Sequence, residues 1–162
     1  MERLIAPLGD KLGALGFRRH ERPRMADLNV IGFWRRCTWN SNRAVAVLRR
    51  PPGDVAIGPY CQQAKWKLLR CTRFIPFLYE VGLQIVVVGE WPEHAPDDGR
   101  TLQQSVDKVS NQFIVLQSLF SVDESSNRYA CARTWGQLVT GRFQDAIADS
   151  LEAAGIQLVS PD

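Results

Sequence analysis

The most apolar stretch of the chain, Leu83 to Gly89, restricts the possible folds more than any other part of the sequence. It reads Leu-Gln-Ile-Val-Val-Val-Gly, a nearly continuous run of aliphatic and β-branched residues. Such a run is typical of a strand covered on both faces, because a strand with one wet face alternates apolar and polar residues. We therefore predict a central strand here, with other elements on each side of it.

The residues before this strand, from Tyr60 onward, follow a helical pattern. Apolar side chains recur at steps of three and four, which places them on one helix face; they are Ala64, Leu68, Cys71, Ile75 and Leu78. Gly82 is expected to end the helix, because glycine readily adopts the left-handed conformation of a helix C-terminus. Pro76 lies inside the segment and predicts a kink or a break near Phe74.

The remaining sequence predicts two further long helices, a short helix and two hairpins. The long helices cover residues 2–15 and 140–154, followed by Gly16 and Gly155, and the short helix covers residues 101–109. Strands at 28–39 and 43–49 form the first hairpin. Apolar steps of four and three would extend the short helix to Phe120. The β-forming residues from Phe113 to Leu116 favour a second hairpin with residues 128–135 instead, and we predict the hairpin.

Together these elements predict a single α+β domain over residues 1–162. Its sheet is expected to be mixed and mainly antiparallel. Three principal helices each end at a glycine that leads into an extended segment, at Gly16, Gly82 and Gly155. A chain of 162 residues with 45% hydrophobic residues is long enough for one core and too short to make two comfortably.

Composition also bounds the location and the chemistry of the protein. No apolar run approaches the roughly 20 residues of a membrane span, and the first ten residues lack a signal-peptide core, so we expect a cytoplasmic protein without membrane contact. Cysteines at 37, 61, 71 and 131 fit neither a zinc motif nor a disulfide framework. Reduced thiols are expected, and no metal or cofactor, since the common nucleotide and cofactor motifs are absent from the sequence.

Charge is distributed unevenly along the chain. Residues 1–75 contain 15 Lys and Arg against 5 Asp and Glu, whereas residues 76–162 contain 5 against 12. Oppositely charged halves favour self-association or a charged protein partner. Arginine outnumbers lysine 16 to 4, which suits phosphate recognition but also follows from a GC-rich genome.

The basic half interleaves cations with tryptophans. Arginine neutralises phosphates and tryptophan stacks on bases, a combination that single-strand binders use. The candidate nucleic-acid-binding residues are Arg35, Arg36, Arg49, Arg50, Lys67, Arg70, Arg73, Trp34 and Trp66. An alternative interpretation is a solvated rim with the tryptophans in the core.

Pro52-Gly53-Asp54 followed by Gln63-Ala64-Lys65 gives a third signal. With a preceding helix and hairpin and a following helix and strand, residues 2–91 resemble the layout of restriction-endonuclease-like nucleases. That resemblance implies that Asp54 helps to hold magnesium and that Lys65 helps to polarise the attacking water. Gln63 stands where the family usually has an acid, so the implied enzyme is degenerate. The alternative is that Asp54 is a turn residue and Lys65 a solvated helix position.

The functional expectation is a non-catalytic binding or protein-interaction module. The alternatives are a nucleic-acid-binding protein and a degenerate magnesium nuclease with Asp54, Gln63 and Lys65 as candidate catalytic residues. No feature of the sequence identifies a specific ligand.

Overall fold

The computed structural model describes residues 2–20, 28–39, 41–53, 55–72, 80–92, 98–110, 114–134 and 137–159. These residues form four helices and seven strands. The helices are α1 (Glu2–Ala14), α2 (Ile57–Leu69), α3 (Gly99–Val109) and α4 (Gln137–Ala153). The strands are β1 (Arg18–Arg19), β2 (Val30–Cys37), β3 (Ser41–Arg49), β4 (Glu80–Val88), β5 (Ile114–Asp123), β6 (Arg128–Arg133) and β7 (Gln157–Leu158). In the described part of the chain, no helix combines the length and apolarity that a bilayer crossing requires.

The strands form one sheet in chain order, β1 to β7. The β1–β2, β2–β3 and β5–β6 pairs are antiparallel, whereas β3–β4, β4–β5 and β6–β7 are parallel. The prediction of a mainly antiparallel sheet is thus corrected to an evenly mixed one. The physical reason is that α2, α3 and α4 each carry the chain back to the end where it began its previous strand, which makes the next strand parallel. The prediction of three principal helices is also corrected, since α3 packs in the core like the others.

Strand direction explains which helices cover which face. Crossovers between parallel strands are almost always right-handed. Because β3 and β4 run in the same direction, right-handed crossovers place α2 and α3 on one face, where they contact each other. Because β6 runs the opposite way, the same rule sends α4 to the other face, where it packs beside α1.

Each face of the sheet has its own core, and β4 contributes to both. Leu83, Ile85 and Val87 pack under α2 and α3, whereas Val86 and Val88 pack under α1 and α4. As the fourth of seven strands, β4 confirms the prediction of a central strand covered on both faces.

The helix ends follow the glycine rule at two of the three expected positions. Gly16 (φ +84°) and Gly155 (φ +80°) follow α1 and α4. In both places the next amide donates back to a carbonyl inside the helix, as in Phe17 N to Leu12 O at 2.9 Å.

The prediction for Gly82 is wrong, because α2 ends at Leu69 and Gly82 lies inside β4. A Cβ at this position would come within 2.4 Å of the side-chain nitrogen of Gln117, so glycine makes room for that side chain. The expected kink at Pro76 lies outside the described residues, as does Leu78.

Both predicted hairpins are confirmed. β2 pairs with β3 through partners such as Trp34 and Val45, and β5 pairs with β6 through partners such as Val122 and Tyr129. A shift in the β4–β5 register leaves Gln117 as an extra residue in β5, which is a bulge. The bulge shifts the alternation of β5, so Leu116 and Leu119 face one core whereas Phe120 and Val122 face the other.

Candidate functional site

One end of the molecule gathers basic and aromatic side chains. The β2–β3 hairpin turns there, and α2 ends beside it: Arg35 Nη1 donates to the Cys71 carbonyl, just beyond α2, at 3.2 Å. We call six residues of this region the basic end: Arg35, Arg36, Trp39, Trp66, Lys67 and Arg70. Cations beside the C-terminus of α2 also complement the negative end of its dipole.

Two tryptophans of the basic end are exposed to solvent. Trp39 has 86% of its surface exposed and Trp66 has 52%. The Lys65 ammonium nitrogen lies 5.0 Å from the centroid of the Trp66 ring. Tryptophan is highly buried on average, so two exposed indoles at one end of the molecule are unusual.

Positive charge extends to the other face of the sheet at the same end. Arg36 and Arg43 are direct cross-strand partners, an arrangement in which like charges repel. Both guanidinium groups lie over the Phe143 ring of α4, at 6.0 Å and 4.9 Å from its centroid. The electron-rich face of this ring offsets part of the repulsion and holds both cations in place.

The other residues predicted to bind nucleic acid lie elsewhere. Trp34 is buried in the core under α1 and α4 and cannot stack on a base. Arg49 and Arg50 lie at the opposite end of β3, roughly 20 Å from Arg43 at 3.3 Å per residue. Arg73 lies outside the described residues. Arg35, Lys67, Arg70 and Trp66 lie at the same end of the sheet, with Arg36 on the opposite face beside Phe143 of α4. Sequence reasoning missed Trp39, which lies in the β2–β3 turn.

Lys65, the lysine of the nuclease resemblance, bonds to another helix of the protein. Lys65 is buried in α2, and its ammonium group donates to the carbonyl of Val109, the last residue of α3. Burial lowers the pKa of Lys65. Gln63 is exposed on the same helix, and Asp54 lies outside the described residues. Among the residues described, no three His, Cys, Asp or Glu side chains are grouped so that they could hold a metal ion.

A cleft of about 640 Å³ lies at the opposite end of the sheet, where β3, β4 and β5 have their carboxyl ends. We call it the carboxyl-end cleft. It is lined by the last residue of β3, by the residues that follow β3 and β4, and by the first residue of the β5–β6 turn: Arg49, Arg50, Pro51, Pro52, Gly53, Gly89, Glu90, Trp91, Pro92 and Glu124. It therefore combines two arginines, two glutamates, an indole and three prolines.

Arg50 forms the base of the carboxyl-end cleft. It is buried, with 7% of its surface exposed, and its Nη1 donates to the Val55 carbonyl while its Nη2 donates to Ser121 Oγ, both at 3.2 Å. To reach Ser121 on β5, the side chain crosses the end of β4 at Gly89, where a Cβ would come within 2.8 Å of the Arg50 Cβ. Gly89 (φ +156°) is thus required by both space and backbone conformation.

Trp91 is held from two sides. Its indole Nε1 donates to Ser121 Oγ at 2.9 Å. Its backbone N–H bonds to the Asp123 carboxylate, which also accepts from Ser125 and Ser126. Burial raises the pKa of Asp123, but these hydrogen bonds outweigh that effect and lower the pKa overall. The half-buried indole is therefore fixed at the wall of the cleft.

Comparisons with protein families, with curated proteins and with solved structures found no match for this chain. Functional inference therefore depends on the chain's own residues, above all on the basic end and the carboxyl-end cleft.

Proposed function

We propose that this chain is a non-catalytic binding module whose basic end binds an extended polyanion, and that single-stranded nucleic acid fits this surface best. The observation that supports the proposal is the exposure of Trp39 and Trp66 among the arginines of the basic end. Arginines neutralise phosphates, and an indole stacks on any base without reading its sequence.

Exposed indoles favour single strands over duplexes. Bases in a duplex are already stacked on each other, so an indole gains a stacking partner only where bases are unpaired. A surface that acted through charge alone would prefer the duplex, whose phosphates are more closely spaced. The pairing of tryptophan with arginine therefore predicts a preference that charge by itself would not give.

Binding is favoured over hydrolysis by the position of Lys65. Its ammonium group bonds to the C-terminal carbonyl of α3, and this role accounts for the side chain without catalysis. The nuclease alternative remains a prediction, tested by magnesium-dependent cleavage of the same oligonucleotides with Asp54→Asn as the control.

Fluorescence anisotropy with a labelled single-stranded oligonucleotide and its duplex, across a salt series, tests the proposal. Trp39→Ala should weaken single-strand binding by about 5- to 150-fold, the effect of losing one stacked base. Arg70→Gln should reduce the slope of log K against log salt by about 1. Arg128→Gln is the matched control, because it removes an exposed arginine that begins β6, at the opposite end of the sheet from the basic end. Equal affinity for both nucleic acids, or an unchanged Trp39→Ala variant, would contradict the proposal.

A second candidate is an acidic protein partner, including a second copy of this chain. The supporting observation is that two exposed acidic residues, Glu90 and Glu124, lie at the carboxyl-end cleft, away from the basic end. Polyglutamate that competes with the oligonucleotide at equal charge would favour a protein partner. A molar mass in light scattering that increases as the salt concentration is lowered would favour self-association.

A further inference from the structure

We propose that the carboxyl-end cleft is a second, independent binding site, for a small molecule that joins one anionic group to a flat ring through a hydroxylated linker, as a nucleoside monophosphate does. The inference uses none of the residues of the basic end. It combines four features of the cleft: its position, its arginines, its indole and its acidic rim.

The cleft lies where neighbouring parallel strands end. Three parallel strands, β3, β4 and β5, end side by side, and the loops that follow them form the walls. A volume of about 640 Å³ matches the range in which small-molecule sites occur.

The arginines supply the anion-binding part. Arg49 is exposed at the cleft, and Arg50 lies at its base with its guanidinium group held by Val55 and Ser121. A guanidinium that is already fixed loses little conformational freedom when a ligand binds. Arginine also suits phosphate and carboxylate oxygens by its planar geometry.

The indole of Trp91 supplies a surface for the ring. The indole lines the cleft while it packs partly against the core under α2 and α3, and its orientation is fixed by the bond to Ser121 and by the backbone bond to Asp123. Pro51, Pro52 and Pro92 give the cleft further apolar wall. A flat ring between an indole and prolines gains both stacking and apolar burial.

The acidic rim narrows the class of ligand. Glu90 and Glu124 are exposed in the same cleft. Their charge opposes a nucleic acid or a nucleoside triphosphate, whereas their carboxylates accept hydrogen bonds from hydroxyl groups, as acidic residues do for ribose in dinucleotide-binding sites. The cleft is therefore suited to one phosphate rather than three.

Isothermal titration calorimetry of the full chain tests the inference with AMP, ribose 5-phosphate, adenosine and ATP. AMP should bind, with ribose 5-phosphate weaker by about 5- to 150-fold because it lacks the stacking ring. ATP should bind more weakly than AMP. Failure of AMP to bind at millimolar concentration, or tighter binding of ATP, would overturn the proposal.

Two variants assign the binding to the cleft. Arg49→Gln should lower the affinity for AMP at least tenfold. Arg18→Gln, which removes an exposed arginine from the edge strand β1, should change that affinity less than twofold. Trp91→Leu should abolish the difference between AMP and ribose 5-phosphate, with circular dichroism to verify folding. Equal losses in Arg49→Gln and Arg18→Gln would mean binding by general charge and would refute the site. Oligonucleotide affinity in the same variants tests the basic end separately.

Discussion

Gly89→Ala tests the crossing of Arg50 over the end of β4. The new Cβ would lie 2.8 Å from the Arg50 Cβ, well inside the 3.5–4.0 Å at which carbon atoms attract. Its neighbour is the first side-chain carbon of a buried residue, which cannot swing away as the end of a flexible chain would. The residue would also keep φ near +156°, a region that residues with a Cβ rarely adopt.

The expected loss of stability is about 3 kcal/mol. Backbone strain of this kind costs about 1–3 kcal/mol, and crowding in a packed region typically costs a further 1–3 kcal/mol. Replacing glycine makes the unfolded chain less flexible, which offsets about 0.4–1 kcal/mol. The sum lies between about 1 and 5.6 kcal/mol, and the midpoint of about 3 kcal/mol corresponds to a lower Tm by about 6–12 °C.

Gly53→Ala is the matched control. Gly53 also has a positive φ, +95°, but a Cβ there would meet nothing within 4 Å, so this variant reports the backbone strain without the contact. We expect it to lose about 1 kcal/mol. Urea unfolding of both variants should show that Gly89→Ala loses about 2 kcal/mol more unfolding free energy than Gly53→Ala. Losses that agree within about 0.5 kcal/mol would refute the close crossing of Arg50.

Three further predictions concern single side chains. Asp98→Ala should lose about 1 kcal/mol in urea unfolding, because Asp98 Oδ1 accepts from Thr101 N at 2.6 Å as the N-cap of α3; an unchanged midpoint would contradict this cap. The folded pKa of Asp123 lies below its ordinary value of 3.8, so the unfolded chain takes up this proton first and stability is lost as pH falls from about 3.8 through the folded pKa. In Asp123→Asn, the unfolding midpoint should fall less steeply as the pH is lowered over this range. An unchanged pH dependence would contradict the hydrogen bonds to this carboxylate. Cys37 is exposed, whereas burial raises the pKa of Cys61 to about 12, so a thiol reagent at pH 8 should label Cys37 in a fast phase that Cys37→Ser removes and Cys61 only after unfolding.

Features of the fold that depend on local sequence were predictable. The run from Leu83 to Val88 indicated a buried central strand because a continuous apolar strand needs cover on both faces. The two hairpins were marked by turn residues between β-forming segments, and Gly16 and Gly155 follow helices whose apolar spacing stops there. In each case the signal and the structure it specifies lie within a few residues of each other.

Features that depend on distant packing were not predictable. Gly82 resembled a helix end, but its role is to admit the side chain of Gln117, more than thirty residues away in sequence. The parallel pairing of β3 with β4 and of β4 with β5 has no turn signal, since a helix separates the strands. A mainly antiparallel sheet was therefore the wrong expectation.

The candidate binding residues divide in the same way. Sequence reasoning recognised the mixture of arginine and tryptophan, but it could not tell which tryptophans were exposed, because neither face of β2 is cleanly polar. Packing under α1 buries Trp34, and the turn position of Trp39 exposes it. Arg49 and Arg50 are adjacent in sequence, yet one is exposed and the other is the buried base of a cleft.

β3 explains how one chain can carry two surfaces of different chemistry. It leaves the basic end beside Arg36, passes through the core with Ala44 to Leu48 almost completely buried, and ends at the carboxyl-end cleft. Its stretch from Arg43 to Arg49 separates the two ends by roughly 20 Å, more than twice the screening length of about 8 Å at physiological salt. Charges at one end are thus largely screened from the other. A ligand meets the arginines of the basic end, or the two arginines and two glutamates of the cleft, rather than the net charge of +3, which averages two unlike surfaces.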